Sequence, residues 1–124
     1  MKPFESFDHV QLAMPAGEET RARDFYAGVL AMDELPKPQE LRARGGAWFA
    51  SGAVQIHLGV DPQFVSAKKA HPALRCSDLP ALRARLEAAR IDITEAGTFE
   101  DGAQHVYIDD PFGNRIELIG LVSS

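Results

Sequence analysis

Tyr107-Ile108-Asp109-Asp110-Pro111-Phe112-Gly113-Asn114-Arg115-Ile116-Glu117-Leu118 is the stretch on which the fold turns. Asp110-Pro111-Phe112-Gly113-Asn114 concentrates the residues that break strands and build turns. His105 to Asp109 before it and Arg115 to Val122 after it both read as strands. In the second of these, Ile116 and Leu118 share one face and Glu117 takes the other. A carboxylate in an otherwise apolar strand is either a solvated sheet residue or a group with a task.

Working backward from the turn, the same order of elements appears twice. Phe7 to Met14 alternates, with Val10, Leu12 and Met14 on one face and His9, Gln11 and Ala13 on the other. Pro15 and Gly17 end it. Glu18 to Ala31 then carries a helical stripe of Ala22, Phe25, Tyr26, Val29 and Leu30. Gly28 inside that helix should cost about 1 kcal/mol relative to alanine. Pro36 and Pro38 mark a loop. Strand-like pieces follow at Glu40 to Arg44, Ala47 to Ala50 and Val54 to Val60, punctuated by Gly45-Gly46 and Ser51-Gly52 as hairpin turns. Asp61 to Lys69 reads as a connector.

The second half opens with Ala70 to Cys76 as a strand. Asp78 is a candidate N-cap, with Pro80 in the first turn. Leu79, Leu82, Leu86 and Ala89 mark a second helical stripe. Ile91 to Glu95 and His105 to Asp109 are the next expected strands. The order is therefore β-α-β-β-β, twice. His9 and His71, 62 residues apart, each open a half, while His57 and Glu117, 60 residues apart, each fall in a fourth strand. Near-equal offsets suggest an internal duplication.

The bulk numbers set limits. A length of 124 residues fits one domain, with a core that needs no disulfide or metal staple. The expected division is a first module over about 1–60, a linker over about 61–69 and a second module over about 70–124. The formal charge of -5, from 18 acids and 13 bases, argues against nucleic acid and against anionic membranes as partners. No apolar run approaches a bilayer span. Cys76 alone cannot form an intramolecular disulfide, and with no apolar signal core at the N-terminus a cytoplasmic protein is expected.

Strand parity places His9, His57, His71 and Glu117 on the faces turned away from the helices. A lone strand histidine is more often structural than a ligand. Four such residues at matched places in two halves argue for a common centre. Two histidines and a carboxylate form the facial set that leaves positions open on Fe(II) or Mn(II), and a further histidine would also suit Zn(II) or Ni(II). Gln11, Arg75, His105 and Tyr107 share these faces and are candidate substrate contacts. Arg75 could pair with an anionic substrate, against the blander reading of a surface arginine. Trp48 and Phe49 point to opposite faces, one toward the core and one toward the pocket, with Trp48 the pocket candidate. Cys76 shares the helix-facing parity of Leu74 and reads as a buried, inert thiol.

Phe7-Asp8-His9-Val10-Gln11-Leu12, Phe25-Tyr26-Ala27-Gly28-Val29-Leu30, His71-Pro72-Ala73-Leu74 before Asp78-Leu79, and the Tyr107 to Leu118 stretch together resemble the vicinal oxygen chelate superfamily. That group contains glyoxalases, fosfomycin-resistance proteins, extradiol dioxygenases and bleomycin-resistance proteins. The resemblance spans almost the whole chain. It implies an α+β fold of two βαβββ modules, whose mixed sheet curves round a central cup. It implies a divalent metal held by His9, His71 and Glu117. His57 stands where glyoxalase-like members place a carboxylate ligand, so a fourth ligand of unusual type is expected there. Ala31 stands where a glycine usually ends the first helix. Tyr107 matches a tyrosine that often donates to a metal-bound oxyanion, which makes Tyr107 and Glu117 the catalytic candidates.

Two functions compete on these grounds. One is a metal-dependent lyase or isomerase of glyoxalase type, or a dioxygenase, acting on a small oxygen-chelating substrate. The other is a metal-free drug-binding protein of the bleomycin-resistance type, although such binders commonly lack the histidines kept here. The resemblance also implies a homodimer, which the Asp61 to Lys69 loop could allow to exchange modules.

Overall fold

The computed structural model describes residues 1–121 of the chain. Among these residues, eight strands form two four-stranded mixed sheets of identical connectivity. The first contains β1 (Val10–Met14), β2 (Asp33–Leu35), β3 (Ala47–Ser51) and β4 (Val54–Val60), in the order β1-β4-β3-β2. The second contains β5 (Ala73–Arg75), β6 (Thr94–Thr98), β7 (Ala103–Asp109) and β8 (Arg115–Leu121), in the order β5-β8-β7-β6. In each sheet the first strand runs parallel to the fourth and the other pairings are antiparallel. The duplication expected from the sequence is thus a duplication of topology.

Each module packs one helix on one sheet face. Helix α1 begins as Glu19–Arg23 and continues as a wider π-helical turn over Asp24–Val29. Helix α2 spans Leu79–Ala88, and the Asp78 side chain caps it by accepting from the Ala81 amide at 3.0 Å. The stripes read from the sequence face inward. Ala22, Phe25, Tyr26, Leu79 and Leu86 join Met14, Phe49, Ile56, Leu58, Val106, Ile108, Ile116 and Leu118 in one buried cluster. The two modules therefore share a core, and the opposite sheet faces are left for polar residues.

The structure moves several expected boundaries. Glu40 to Arg44 is part of a 3-10 helix, Gln39–Arg44, entered from Pro38, and is not a strand. The edge strand is instead β2, which pairs Asp33 to Ala50 and Leu35 to Trp48 before Pro36 can interrupt the ladder. Gly45-Gly46 links that 3-10 helix to β3 and makes no hairpin, whereas Ser51-Gly52 does turn β3 into β4. A side chain on Gly46 (φ +85°) would run into the Leu58 carbonyl. β1 starts at Val10, so Phe7 to His9 precede the strand. β5 covers only Ala73–Arg75, so His71 also precedes its strand. β6 lies three residues later than Ile91 to Glu95, because Ile91 and Ile93 pack on the core and the ladder bulges between Glu95 and Gly97. The expected extension of β8 to Val122 lies outside the described residues.

Asp110 and Asn114 turn out to be buried structural residues. Asp110 accepts from the Tyr26 hydroxyl at 2.7 Å, from Asn114 Nδ2 at 2.9 Å and from the amides of Phe112 and Asn114. Asn114 Nδ2 also donates to the Ala13 carbonyl at 2.8 Å. One turn of the second module is thereby tied to both β1 and α1. Burial and the Asp110 carboxylate push the Tyr26 hydroxyl far above the ordinary tyrosine range.

Candidate metal centre

The polar sheet faces carry His57, His105 and Glu117, while His9 and His71 stand just before β1 and β5. In the second module Glu117 is the pivot. Its Oε1 lies 2.9 Å from His71 Nε2, and its Oε2 accepts from His105 Nδ1 at 2.5 Å. The bond to His105, followed by that to His71, holds the carboxyl below the usual carboxylate range, although partial burial opposes both. His71 Nδ1 donates to the Lys69 carbonyl at 2.8 Å, which leaves Nε2 as the nitrogen facing Glu117. Tyr107, the cross-strand partner of Glu117, meets the His71 ring edge-on at 5.3 Å between centroids.

The first module builds a different object at the equivalent place. His57 pairs with Gln11 on β1 and with Trp48 on β3. Its ring is sandwiched between His9 at 4.0 Å and Trp48 at 4.1 Å, with interplanar angles of 11° and 7°. Burial, then repulsion from the His9 ring, pulls His57 below the ordinary histidine range, against a smaller upward pull from Asp8. His57 therefore favours its neutral form. The stack packs His57 against His9, and His57 Nε2 lies 3.2 Å from Gln55 Oε1. His9 itself donates from Nδ1 to Asp8 at 2.8 Å, which leaves Nε2 available. The Gln11 side chain lies across Gly59.

His9, Gln11 and His71 line a single cavity of about 640 Å³ between the β1 and β5 edges, together with the apolar Phe7, Val65 and Leu74. Among the described residues, no three His, Cys, Asp or Glu side chains of one chain are arranged to hold an ion. His71 and His105 each take their own oxygen of Glu117, and His9 stands on the other sheet. Arg75 is exposed and lines two crevices at the start of α2 instead of this cavity. Trp48 takes the polar side and Phe49 the core. Cys76 is half-buried, and burial raises its thiol, as suits an inert packing residue.

Arg115 escaped the sequence reading. It lies on the Glu117 face of β8, with its guanidinium carbon 4.8 Å from the Tyr107 ring centroid. The spacing of two from Glu117 on an alternating strand was the available signal.

No protein-family model and no curated protein sequence matches the chain. Solved structures do. A glyoxalase family protein from Bacillus anthracis is 39% identical, with a TM-score of 0.92 and 98% of each chain covered. The chain therefore belongs to the glyoxalase family, within the vicinal oxygen chelate superfamily. Its fold is shared by the fosfomycin resistance protein FosX from Listeria monocytogenes, at 13% identity over 94% of this chain and 93% of that one, with a TM-score of 0.72. It is shared too by a lactoylglutathione lyase from Agrobacterium tumefaciens, at 23% identity over 96% of each chain and a TM-score of 0.69. No described helix is long and apolar enough to cross a membrane.

Proposed function

We propose that the protein is a divalent-metal-dependent enzyme acting on a small substrate that offers two neighbouring oxygens. The observation that carries this reading is the His71–Glu117 pair. Both nitrogens of His71 face acceptors, the Lys69 carbonyl and a Glu117 oxygen. A neutral imidazole cannot satisfy both contacts, because one nitrogen then has no proton to give. Either a second proton or a cation must sit on the Glu117 side. A backbone-anchored imidazole beside a carboxylate is the donor arrangement that suits Fe(II), Mn(II), Zn(II) or Ni(II).

In this reading His71 and Glu117 hold the ion with His9, which lines the same cavity as His71. The bound ion would supply Lewis-acid polarisation of the substrate oxygens. The protein groups do the rest. His105 keeps Glu117 ionised and oriented. Tyr107, beside His71, is positioned to donate to an oxyanion of the substrate. Glu117 could accept a proton from the substrate if it swings away from the ion. Lyase or isomerase chemistry of glyoxalase type fits these roles best, and a dioxygenase uses the same donors.

A homodimer belongs to the same proposal. The donors sit on two separate sheets, and the cavity rim exposes Phe7 and Val65. Residues 61–72 contain no strand or helix and could let modules exchange between chains. Calorimetric titration of chelator-treated protein with Mn(II), Ni(II) and Zn(II) tests the metal reading. Saturable binding that His9→Ala weakens at least tenfold is expected. Absence of binding by all three ions would favour the metal-free drug-binding alternative.

A further inference from the structure

We infer that the recess under Tyr107 and Arg115 holds a carboxylate group of the substrate on the guanidinium of Arg115. The recess has a volume of about 390 Å³ and is lined by Arg90, Asp92, Thr94, Tyr107, Asp109 and Arg115. Most of the chain's arginines have a protein partner. Arg23 and Arg83 pair with Glu34 and Glu95, Arg21 with Glu18, and Arg85 and Arg42 donate to main-chain carbonyls. Arg44, Arg75 and Arg90 have none among the described residues, but all three are exposed. Arg115 alone is half-buried with no acceptor among the described residues. Asp109 is its direct cross-strand partner, yet lies beyond ion-pairing distance.

The guanidinium is instead stacked over Tyr107, 4.8 Å from the ring centroid. Stacking fixes the plane of the group while leaving its donor fork open. A planar carboxylate matches that fork with two parallel hydrogen bonds. Asp92 and Asp109 line the same recess, and their repulsion is smaller for a singly charged carboxylate than for a multiply charged phosphate. The backbone of Arg90 adopts a left-handed φ of 60°, a conformation rarely kept by a residue with a side chain. The exposed Arg90 side chain adds a second cation to the lining.

The position defines the ligand further. Arg115 and Glu117 are two residues apart on one strand face, roughly 7 Å between their Cα atoms. Tyr107 stands between Arg115 and the His71 ring. A carboxylate on Arg115 would thus sit one small molecule's length from the chelating oxygens. This substrate class, a small carboxylic acid bearing further oxygens, rests on the metal reading above.

The test uses metal-free full-length protein, so that the two readings fail separately. The Arg115 Nε–H resonance is followed by NMR during titration with glycolate and, separately, with inorganic phosphate. A saturable shift with glycolate, at least fivefold weaker with phosphate, is expected. Arg115→Gln should lose glycolate binding at least tenfold, Arg115→Lys should be weakened, and Arg44→Gln, far from the recess, should bind as the parent does. Should Arg115→Gln not fold, the Arg115→Lys result decides. No saturation, a preference for phosphate, or undiminished binding by the Arg115 variants would overturn the inference. Metal uptake by Arg115→Gln should match the parent. Glycolate binding without metal uptake would sink the metal site and leave this recess standing.

Discussion

His71 Nε2 lies 2.9 Å from Glu117 Oε1 while Nδ1 of the same ring reaches the Lys69 carbonyl at 2.8 Å. The ring therefore has acceptors at both ends. An ion that binds there must take Nε2 from its contact with Glu117. His71→Ala should therefore weaken Zn(II) binding at least tenfold. Calorimetric titration of the two proteins measures the ratio. Equal affinities would count against His71 as a ligand.

Glu117 makes the metal-free protein sensitive to acid. Its carboxyl is held below the ordinary 4.5 by the His105 and His71 bonds. A lowered carboxylate contributes stability that is complete above its unfolded value and is lost as the pH falls through its folded value. Glu117→Gln should therefore melt below the parent at pH 7, and the gap should shrink as the pH falls below 4.5. Melting temperatures of both proteins between pH 7 and pH 3 check this.

The Tyr26–Asp110 bond ties the first module to the second. It is 2.7 Å long and buried. Tyr26→Phe leaves Asp110 with Asn114 and two backbone amides, so the carboxylate is not orphaned. A loss of about 2 kcal/mol is expected, the range for a hydrogen bond to a charged group. Urea unfolding of the two proteins measures it.

Ala31 and Arg90 share an unusual backbone. Their φ values are 58° and 60°, each just past the end of its module's helix. The absence of glycine at the end of α1, noted from the sequence, is thus a real strain. The left-handed region costs a residue with a side chain roughly 1–2 kcal/mol, part of which glycine loses again in entropy. Ala31→Gly should stabilise the protein by up to about 1 kcal/mol. A lower melting temperature for that variant would contradict the backbone assignment.

Much of this was legible in the sequence because alternation is a strong signal. Leu12, Met14, Ile116 and Leu118 announced the core faces, and with them the polar side on which His9, His57, His105 and Glu117 were expected. The turn at Asp110 to Asn114 and the cap at Asp78 were equally plain. What parity cannot report is which neighbour a polar side chain chooses. His57 could be placed on the site face, but its stacking between Trp48 and His9 depends on cross-strand register. The same limit applies to Arg115, whose role appears only once Tyr107 is seen beneath it. The short edge strand β6 was displaced because a few weakly patterned residues cannot outvote core packing by Ile91 and Ile93.

Elemental analysis of native protein purified without chelator or affinity tag, compared with His71→Ala, bears most directly on the metal centre. The parent should carry a first-row divalent ion in stoichiometric amount, and the variant should lose it. A parent free of such ions, or a His71→Ala protein that retains full occupancy, would contradict the assignment of His71 and Glu117 as the heart of the site.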